Sequence, residues 1–200
     1  MCLDLYGIAH FLKGSCPFIW TFVESVNECF FCLLFGKRVE ALDLNKIPIP
    51  DGYYLKPITN IPTNDLVAFF ERQPEEAFKF FKPHGFDEKS IRALQRNKSF
   101  LGYVLLNKHS REIVGYCFNR SFFNGKGFRG RMVDVDYRGK GLGTAMNKIL
   151  NEVGFGIGLR LFESVSKDNV ASYRSALSAS NVKVVKELPH NELYLEIMPD

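Results

Sequence analysis

The chain has 200 residues, of which 46% are hydrophobic and 24% are charged, and its formal net charge at pH 7 is +4. This composition is that of one ordinary globular domain, with or without an appendage, and it excludes a disordered or low-complexity chain. The weak basic charge suits an anionic ligand. Because no basic stripe is interleaved with aromatic residues, nucleic acid is not predicted as a partner.

Five cysteines are spread over the chain, and no clear secretion signal precedes them. An odd number without a regular framework predicts a reducing, cytoplasmic compartment. Cys29 and Cys32 have the C-x-x-C spacing, but no second pair or nearby histidine completes a tetrahedral site. We therefore predict no metal site, and we expect the cysteines to be buried structural thiols.

Residues 18–35 form a strongly apolar segment, and Lys37 and Arg38 follow it. A membrane-spanning helix needs about twenty apolar residues, and Glu24 and Glu28 interrupt this segment near its middle. No transmembrane segment is predicted. Apolar residues at helical spacing instead predict an amphipathic helix. That helix packs on the domain or across a homodimer, or it lies on a membrane surface.

The run from Pro48 to Gly52 marks a domain boundary. We assign residues 1–50 to an N-terminal apolar helical extension and residues 51–200 to the main domain. Hydrophobic periodicity and turn residues then predict the following elements in chain order: a strand over 53–58, a helix from 65 capped by Thr63 or Asn64, short helices over 75–81 and 88–95, strands over 100–106, 112–118 and 131–135, a helix from 145, a strand over 159–165, and a hairpin of 182–186 with 192–197.

A glycine-rich loop joins the strand over 131–135 to the next helix. Its residues are Arg138, Gly139, Lys140, Gly141, Leu142, Gly143 and Thr144. The first N–H groups of a helix have no partner within it, and the aligned peptide dipoles make that end partly positive. Glycine lets an anion approach this backbone closely. The loop therefore predicts a pyrophosphate site, which Arg138 and Lys140 would complete.

The glycine spacing does not fit a Rossmann fingerprint or a P-loop. Arg138, Gly141 and Gly143 instead resemble the acyl-CoA loop, Q/R-x-x-G-x-G/A, of the GNAT superfamily of N-acetyltransferases. Asn169, which follows the strand over 159–165, resembles the Asn that opens the last helix of this family. Asn169 or Asp168 would cap that helix.

The resemblance implies an α/β (α+β) fold with a central, mixed and mostly antiparallel twisted sheet flanked by helices. Its fourth and fifth strands would splay apart to admit the pantetheine arm of acetyl-CoA, the acyl-donor cosubstrate. Arg131 and Val133 would be its backbone partners, and Asn169 and Ser172 would lie beside it. The Val133 N–H would face the thioester carbonyl. The implied reaction is direct transfer of the acetyl group to an amine in a ternary complex.

The catalytic residues are less defined. The family often has a Tyr seven residues after the Asn, which protonates the leaving thiolate, but this chain has Ala176 there. Tyr173 is the candidate acid, and Ser172, Ser175 or water are alternatives. Glu163 is the preferred general base, with His84, Asp134 and Asp136 as alternatives.

Two classes of function follow. One is an N-acetyltransferase for a small-molecule amine, with an amino sugar or sugar nucleotide slightly ahead of an amino acid or protein amine. The residues around His84 resemble a segment of acetyltransferases thought to act on sugar amines. The other is a non-catalytic acyl-CoA-binding or interaction module, which the Ala at position 176 motivates.

Overall fold

In the computed structural model, residues 17–199 are described, with side chains from residue 21 onward. The N-terminal 16 residues of the predicted extension lie outside this range. The described chain builds one seven-stranded sheet in the order β1-β2-β3-β4-β5-β7-β6. Neighbouring strands are antiparallel except for β4 and β5, which are parallel. The mixed sheet flanked by helices confirms the predicted fold class.

The helices and strands have the following bounds: α1 Pro17–Glu40, β1 Tyr53–Pro57, α2 Thr63–Glu71, α3 Glu88–Arg96, β2 Phe100–Asn107, β3 Ile113–Ser121, β4 Lys126–Val133, α4 Leu142–Gly156, β5 Arg160–Ser166, α5 Val170–Ala179, β6 Asn181–Leu188 and β7 Glu192–Met198. Single turns of 3-10 helix lie at Leu44–Lys46, Ile58–Asn60, Glu75–Phe78 and Val135–Tyr137.

Several predicted boundaries were wrong. The segment predicted as a helix over 75–81 is only a 3-10 turn, Glu75–Phe78. Helix α2 begins after Pro62, which makes no side-chain cap bond, so neither Thr63 nor Asn64 is its cap. Strand β4 ends at Val133 rather than at residue 135, because the Asp134 side chain accepts the Asp136 N–H and turns the chain into a 3-10 helix.

Each face of the sheet carries an apolar core. On one face, α4 contributes five fully buried residues, and alternate strand residues such as Leu105 and Leu161 pack against them. On the other face, α2 and α3 pack against the intervening strand residues, which include Val104 and Met132. This alternation is the period of two expected for a sheet buried on both faces. The two cores hold β4 and β5 rigidly where the functional site forms.

Helix α1 packs along the domain and closes the core on the α4 face. Phe31 and Phe35 belong to that core, and their rings stack with centroids 5.2 Å apart. Asn27 is buried, and its Nδ2 donates to the Ser121 main-chain oxygen at 3.0 Å. The outer face is apolar and exposed, and Leu33 is 78% exposed. Its use in a homodimer or at a membrane stays a prediction.

None of the helices within residues 17–199 combines the length and the apolar character that crossing a membrane requires. The predicted burial of the cysteines holds for Cys117, whereas Cys32 is half-buried and Cys29 is exposed. Cys2 and Cys16 lie outside the described residues. Cys29 is exposed because it lies on the outer face of α1.

Candidate functional site

The parallel strands β4 and β5 separate along their length. Residues 126–128 of β4 pair with residues 160–162 of β5. The later residues of the two described strands are not paired with each other. Along a strand, the backbone N–H and C=O groups of successive residues point alternately toward one neighbouring strand and the other. The Asp134 N–H donates to the Val114 oxygen of β3, so the even-numbered residues of β4 turn their backbone groups toward β3. The backbone groups of Arg131 and Val133 therefore point away from β3, toward the gap.

A cavity of about 970 Å³ occupies this gap. Most of its wall is formed by five parts of the chain: residues 79–83, 129–133, 137–144 without Lys140, 163–166, and a group on and beside α5 that comprises Asn169, Ala171, Ser172 and Ser175. Glu76, Ala77, Phe118 and Glu192 complete the wall. The cavity thus extends from the segment before α3 on one face of the sheet to the N-termini of α4 and α5 on the other.

The glycine loop forms one end of the cavity. Gly139 and Gly141 have φ values of +75° and +76°, a left-handed conformation that side chains rarely adopt. No atom lies within 4 Å of where a Cβ would stand on either residue. Gly141 also caps α4, so the first N–H groups of that helix face open space. This geometry is an open anion cradle at a helix N-terminus.

The two cations of the loop differ in their surroundings. Arg138 is exposed and lines the cavity. Lys140 does not line it, because its Nζ donates to the Asp136 main-chain oxygen at 3.2 Å and lies 4.5 Å from the centre of the Tyr137 ring. The structure therefore brings Arg138, and not Lys140, to the cradle.

Helix α5 approaches the cradle from the opposite side. Asn169 caps this helix, as predicted, by accepting the Ser172 N–H at 3.2 Å. One turn later, Ser175 contacts the first turn of α4. Its Oγ accepts from Asn147 Nδ2 at 3.2 Å and lies 3.4 Å from Thr144 Oγ1. Ser172 and Ser175 thus present their hydroxyl groups to the cavity.

The start of the loop is fixed by Asp134, which is almost fully buried. Its Oδ2 accepts from Gln73 Nε2 at 2.8 Å and from Arg72 Nε at 2.9 Å. Burial alone would raise the pKa of Asp134, but the bonds from Gln73 and the Asp136 N–H, together with Arg72, hold it below its ordinary value of 3.8. With these partners, Asp134 anchors β4 rather than facing the cavity.

A buried group of charges lines the middle of the cavity, and we call Arg129, Arg131 and Glu163 the arginine–glutamate cluster. Glu163 Oε2 accepts from Arg129 Nε at 2.7 Å and from Arg131 Nη1 at 3.3 Å. Arg131 Nη2 also donates to the main-chain oxygen of Ser172 at 2.9 Å. Burial lowers the pKa of Arg131, and Glu163 opposes that shift. The guanidinium remains charged near neutral pH.

Two polar atoms of this cluster are buried without a hydrogen-bond partner among the described residues: Glu163 Oε1 and Arg129 Nη2. Such atoms are rare and are typical of a place where a ligand binds. The sequence alone did not identify Arg129 as a site residue, and its side chain is fully buried. The signal that identifies it is its position two residues before Arg131, on the same face of β4.

The structure does not bring the other two candidate catalytic residues to the cavity. Tyr173 packs against the core on the α4 face and is not among the cavity-lining residues. His84 lies among aromatic rings, where its Nδ1 contacts the Gly85 oxygen at 2.8 Å and its Nε2 contacts Tyr116 Oη at 2.9 Å. A carbonyl only accepts, so Nδ1 carries a proton and donates it to the Gly85 oxygen.

Several solved structures with this architecture are acetyltransferases, and some of them are described as GNAT proteins. The GNAT domain of S. lividans PAT matches with a TM-score of 0.62 at 15% identity, over 72% of this chain and 88% of that one. The Campylobacter jejuni N-acetyltransferase PseH matches with a TM-score of 0.55 at 14% identity, over 74% and 99%. Aminoglycoside acetyltransferase AAC(6')-Ib, in complex with coenzyme A and kanamycin, matches with a TM-score of 0.54 at 16% identity, over 72% and 93%.

No model of a protein family matches the sequence, and no curated protein does so either. At these identities, the structural likeness establishes the fold alone. The chain therefore has the GNAT fold, and the predicted strand order, the splay and the position of the glycine loop are confirmed as parts of that fold.

Proposed function

We propose that the chain is an N-acetyltransferase that moves an acetyl group from acetyl-CoA to the amine of a small molecule. The observation that carries this proposal is that the anion cradle of the glycine loop opens into the gap between β4 and β5. Gly139 and Gly141 open a helix N-terminus to an anion, and the cavity continues from there between β4 and β5. A pyrophosphate joined to an extended arm has this shape and charge distribution.

The residues present fit that group. The N–H groups from Gly141 to Thr144 and the Arg138 guanidinium would hold the pyrophosphate. The backbone of Arg131 and Val133 would pair with the arm as an additional strand. Asn169 and Ser172 would border it on the other side. Two structural neighbours support the choice of coenzyme, since one AAC(6')-Ib structure contains coenzyme A and the other contains acetyl-CoA.

Acetyl-CoA supplies an acyl carbon activated as a thioester. The Val133 N–H, at the end of β4, would stabilise the negative charge that develops on the acyl oxygen. Glu163 is the proposed base. It lines the cavity, but its side chain lies on the α4 face and its Oε1 is buried, so it would take the proton of the amine through water. His84 and Tyr173 instead support the aromatic cluster and the core where they lie.

The acceptor would enter from the face that carries residues 79–83. Phe80, Phe81 and Pro83 give this end an apolar wall, and Glu76 and Glu192 add carboxylates that suit a protonated amine. An amino sugar combines an amine with apolar ring faces, and kanamycin, bound in one neighbour, is of this class. An amino-acid or protein amine is the alternative acceptor. The exposed free thiol of Cys29 agrees with a reducing, cytoplasmic setting.

The test is release of free thiol from acetyl-CoA in the presence of amino sugars, aminoglycosides, amino acids, polyamines and peptides. The rate of thiol release measured with a Gly141→Val variant gives the background rate. We expect one class, foremost the amino sugars, to raise the rate clearly above that background. If every class stays at background while acetyl-CoA still binds, the chain is a non-catalytic acyl-CoA-binding module instead.

A further inference from the structure

The arginine–glutamate cluster has an excess positive charge. Two guanidinium groups share one carboxylate, so the net charge is +1. All three side chains are at least nine-tenths buried, and all three line the cavity. A buried charge is costly unless another charge or hydrogen bonds compensate it. The cluster therefore favours a negative charge in the cavity.

The other titratable group that faces Arg131 does not supply that charge. Cys117 lies opposite on β3, and burial raises its pKa to about 12, so it is a neutral thiol. Glu163 is already shared with Arg129, and Ser172 contributes only neutral oxygens. The carboxylates of Glu76 and Glu192 also line the cavity, but neither forms an ion pair with the cluster, so an anion bound in the cavity would compensate its charge.

The position of Arg131 suggests which anion this is. Its guanidinium extends from β4 to the first turn of α5 and bonds to Ser172. The resemblance to the GNAT family would place an acid for the leaving sulfur on the same helix, at residue 176, which in this chain is a fully buried Ala. A methyl group donates no proton. The fixed positive charge thus lies beside the place where a proton donor is missing.

We propose that Arg131 stabilises the leaving group of the reaction as a thiolate, by charge rather than by proton transfer. The inference rests on the proposed function. As the amine nitrogen forms its bond to the acyl carbon, the carbon–sulfur bond breaks and sulfur keeps the electron pair. The proton of the amine goes to Glu163 or to water. Where Glu163 receives this proton, the cluster becomes more positive while the sulfur is negative.

The test is the thiol pKa of coenzyme A bound to the protein, read from ultraviolet thiolate absorbance against pH. A parallel titration with desulfo-coenzyme A removes the contribution of the protein's own thiols. We expect the bound thiol to titrate at least about one pH unit below that of free coenzyme A. Arg131→Lys keeps the charge and should keep most of this shift, whereas Arg131→Gln should abolish it. Arg96→Gln, at the end of α3, is the control.

Arg131→Gln leaves Glu163 its shorter bond to Arg129, so the fold is expected to persist. If it does not, Glu163→Gln is the second variant, since it removes the negative charge of the cluster and should lower the thiol pKa further. An unshifted thiol in the native protein, or an equal shift in Arg131→Gln, would overturn the inference. Coenzyme A that does not bind at all would refute the proposed function itself.

The same experiment distinguishes thiolate stabilisation by Arg131 from two competing explanations of the cluster. If the cluster recognised a carboxylate on the acyl chain, succinyl-CoA would bind more tightly than acetyl-CoA, and the thiol of coenzyme A would keep its ordinary pKa. A cluster that only braces β4 against α5 would change thermal stability in Arg131→Gln without any effect on the thiol. Either result overturns a role for Arg131 in thiolate stabilisation.

Discussion

Ser175 Oγ lies only 3.3 Å from the point where a Cβ on Gly143 would stand. Helices α4 and α5 meet at this point, beside the anion cradle. The approach is tighter than an ordinary Cβ contact, so any side chain at residue 143 must displace Ser175. Because the Ser175 hydroxyl is bonded to Asn147, that displacement would spread along the first turn of α4.

Gly143→Ala should therefore weaken coenzyme binding and should bring no gain in stability. Gly36, in α1, has no atom within 4 Å of its Cβ position and is the matched control. Gly36→Ala should stabilise the fold by about 0.5–1 kcal/mol, since Ala has the higher helix propensity. Chemical denaturation and calorimetric titration with coenzyme A measure the two effects. Equal gains in stability from both substitutions would show that Ser175 does not constrain residue 143.

Arg138→Ala should weaken acetyl-CoA binding by about 1–3 kcal/mol, because a guanidinium contact to a phosphate is a charge-assisted hydrogen bond. Lys140→Ala should have a smaller effect, since its ammonium is held by Asp136 and Tyr137. Arg96→Ala, on the opposite face of the sheet, controls for the loss of one positive charge. An affinity that is unchanged in Arg138→Ala would place this side chain in solvent.

Asp134→Asn should destabilise the fold at pH 7 by about 1–3 kcal/mol, because it weakens a buried, hydrogen-bonded network. The pKa of Asp134 is lower in the folded chain than its ordinary value of 3.8. A carboxyl of this kind stabilises the fold above the unfolded pKa, and the contribution is lost as the pH falls through the folded pKa. The difference between native protein and variant should therefore shrink below about pH 4.

Urea denaturation at a series of pH values from 7 down to 3 measures this dependence. Asp136→Asn is the control, since Asp136 is exposed and its side chain takes no part in the network. A difference in the free energy of unfolding that stays constant with pH would contradict the role of the Asp134 charge.

Asn27→Ala should lower the free energy of unfolding by about 1–3 kcal/mol, because the buried Ser121 oxygen and the Phe123 N–H would each lose a partner. Ser25→Ala, on the exposed side of the same helix, should change stability by less than about 0.5 kcal/mol. A single unfolding transition in both variants is expected, because α1 shares its core with the sheet. A separate transition for α1 would show that it folds as an independent extension.

Local signals explain why much of the fold could be predicted. The cradle was found because glycine spacing, a preceding strand and a following helix all lie within a few consecutive residues. The cap by Asn169 was found for the same reason. The individual strands followed from alternation and turn residues, whereas their arrangement in the sheet was implied by the resemblance to the GNAT superfamily. Each of these features depends on near neighbours in the chain.

Features that depend on distant residues could not be predicted in the same way. The bond between Arg129 and Glu163 joins residues 34 positions apart, and the Asn27 bond to Ser121 joins residues 94 positions apart. The start of β4 was missed because Gly127 and Gly130 and the cations between them interrupt the apolar alternation. The glycines are required there, since a Cβ on Gly130 would lie 2.6 Å from the Phe118 ring.

The most direct test of the coenzyme site is calorimetric titration of the purified chain with acetyl-CoA, repeated with Gly141→Val and with Gly52→Val. Both glycines have positive φ, +76° and +84°, and open space around the Cβ position, so the backbone strain is matched. Only Gly141 lies in the cradle. We predict saturable binding to the native chain and to Gly52→Val and its loss in Gly141→Val. No binding to the native chain, or equal loss in both variants, would contradict an acyl-CoA site in this loop.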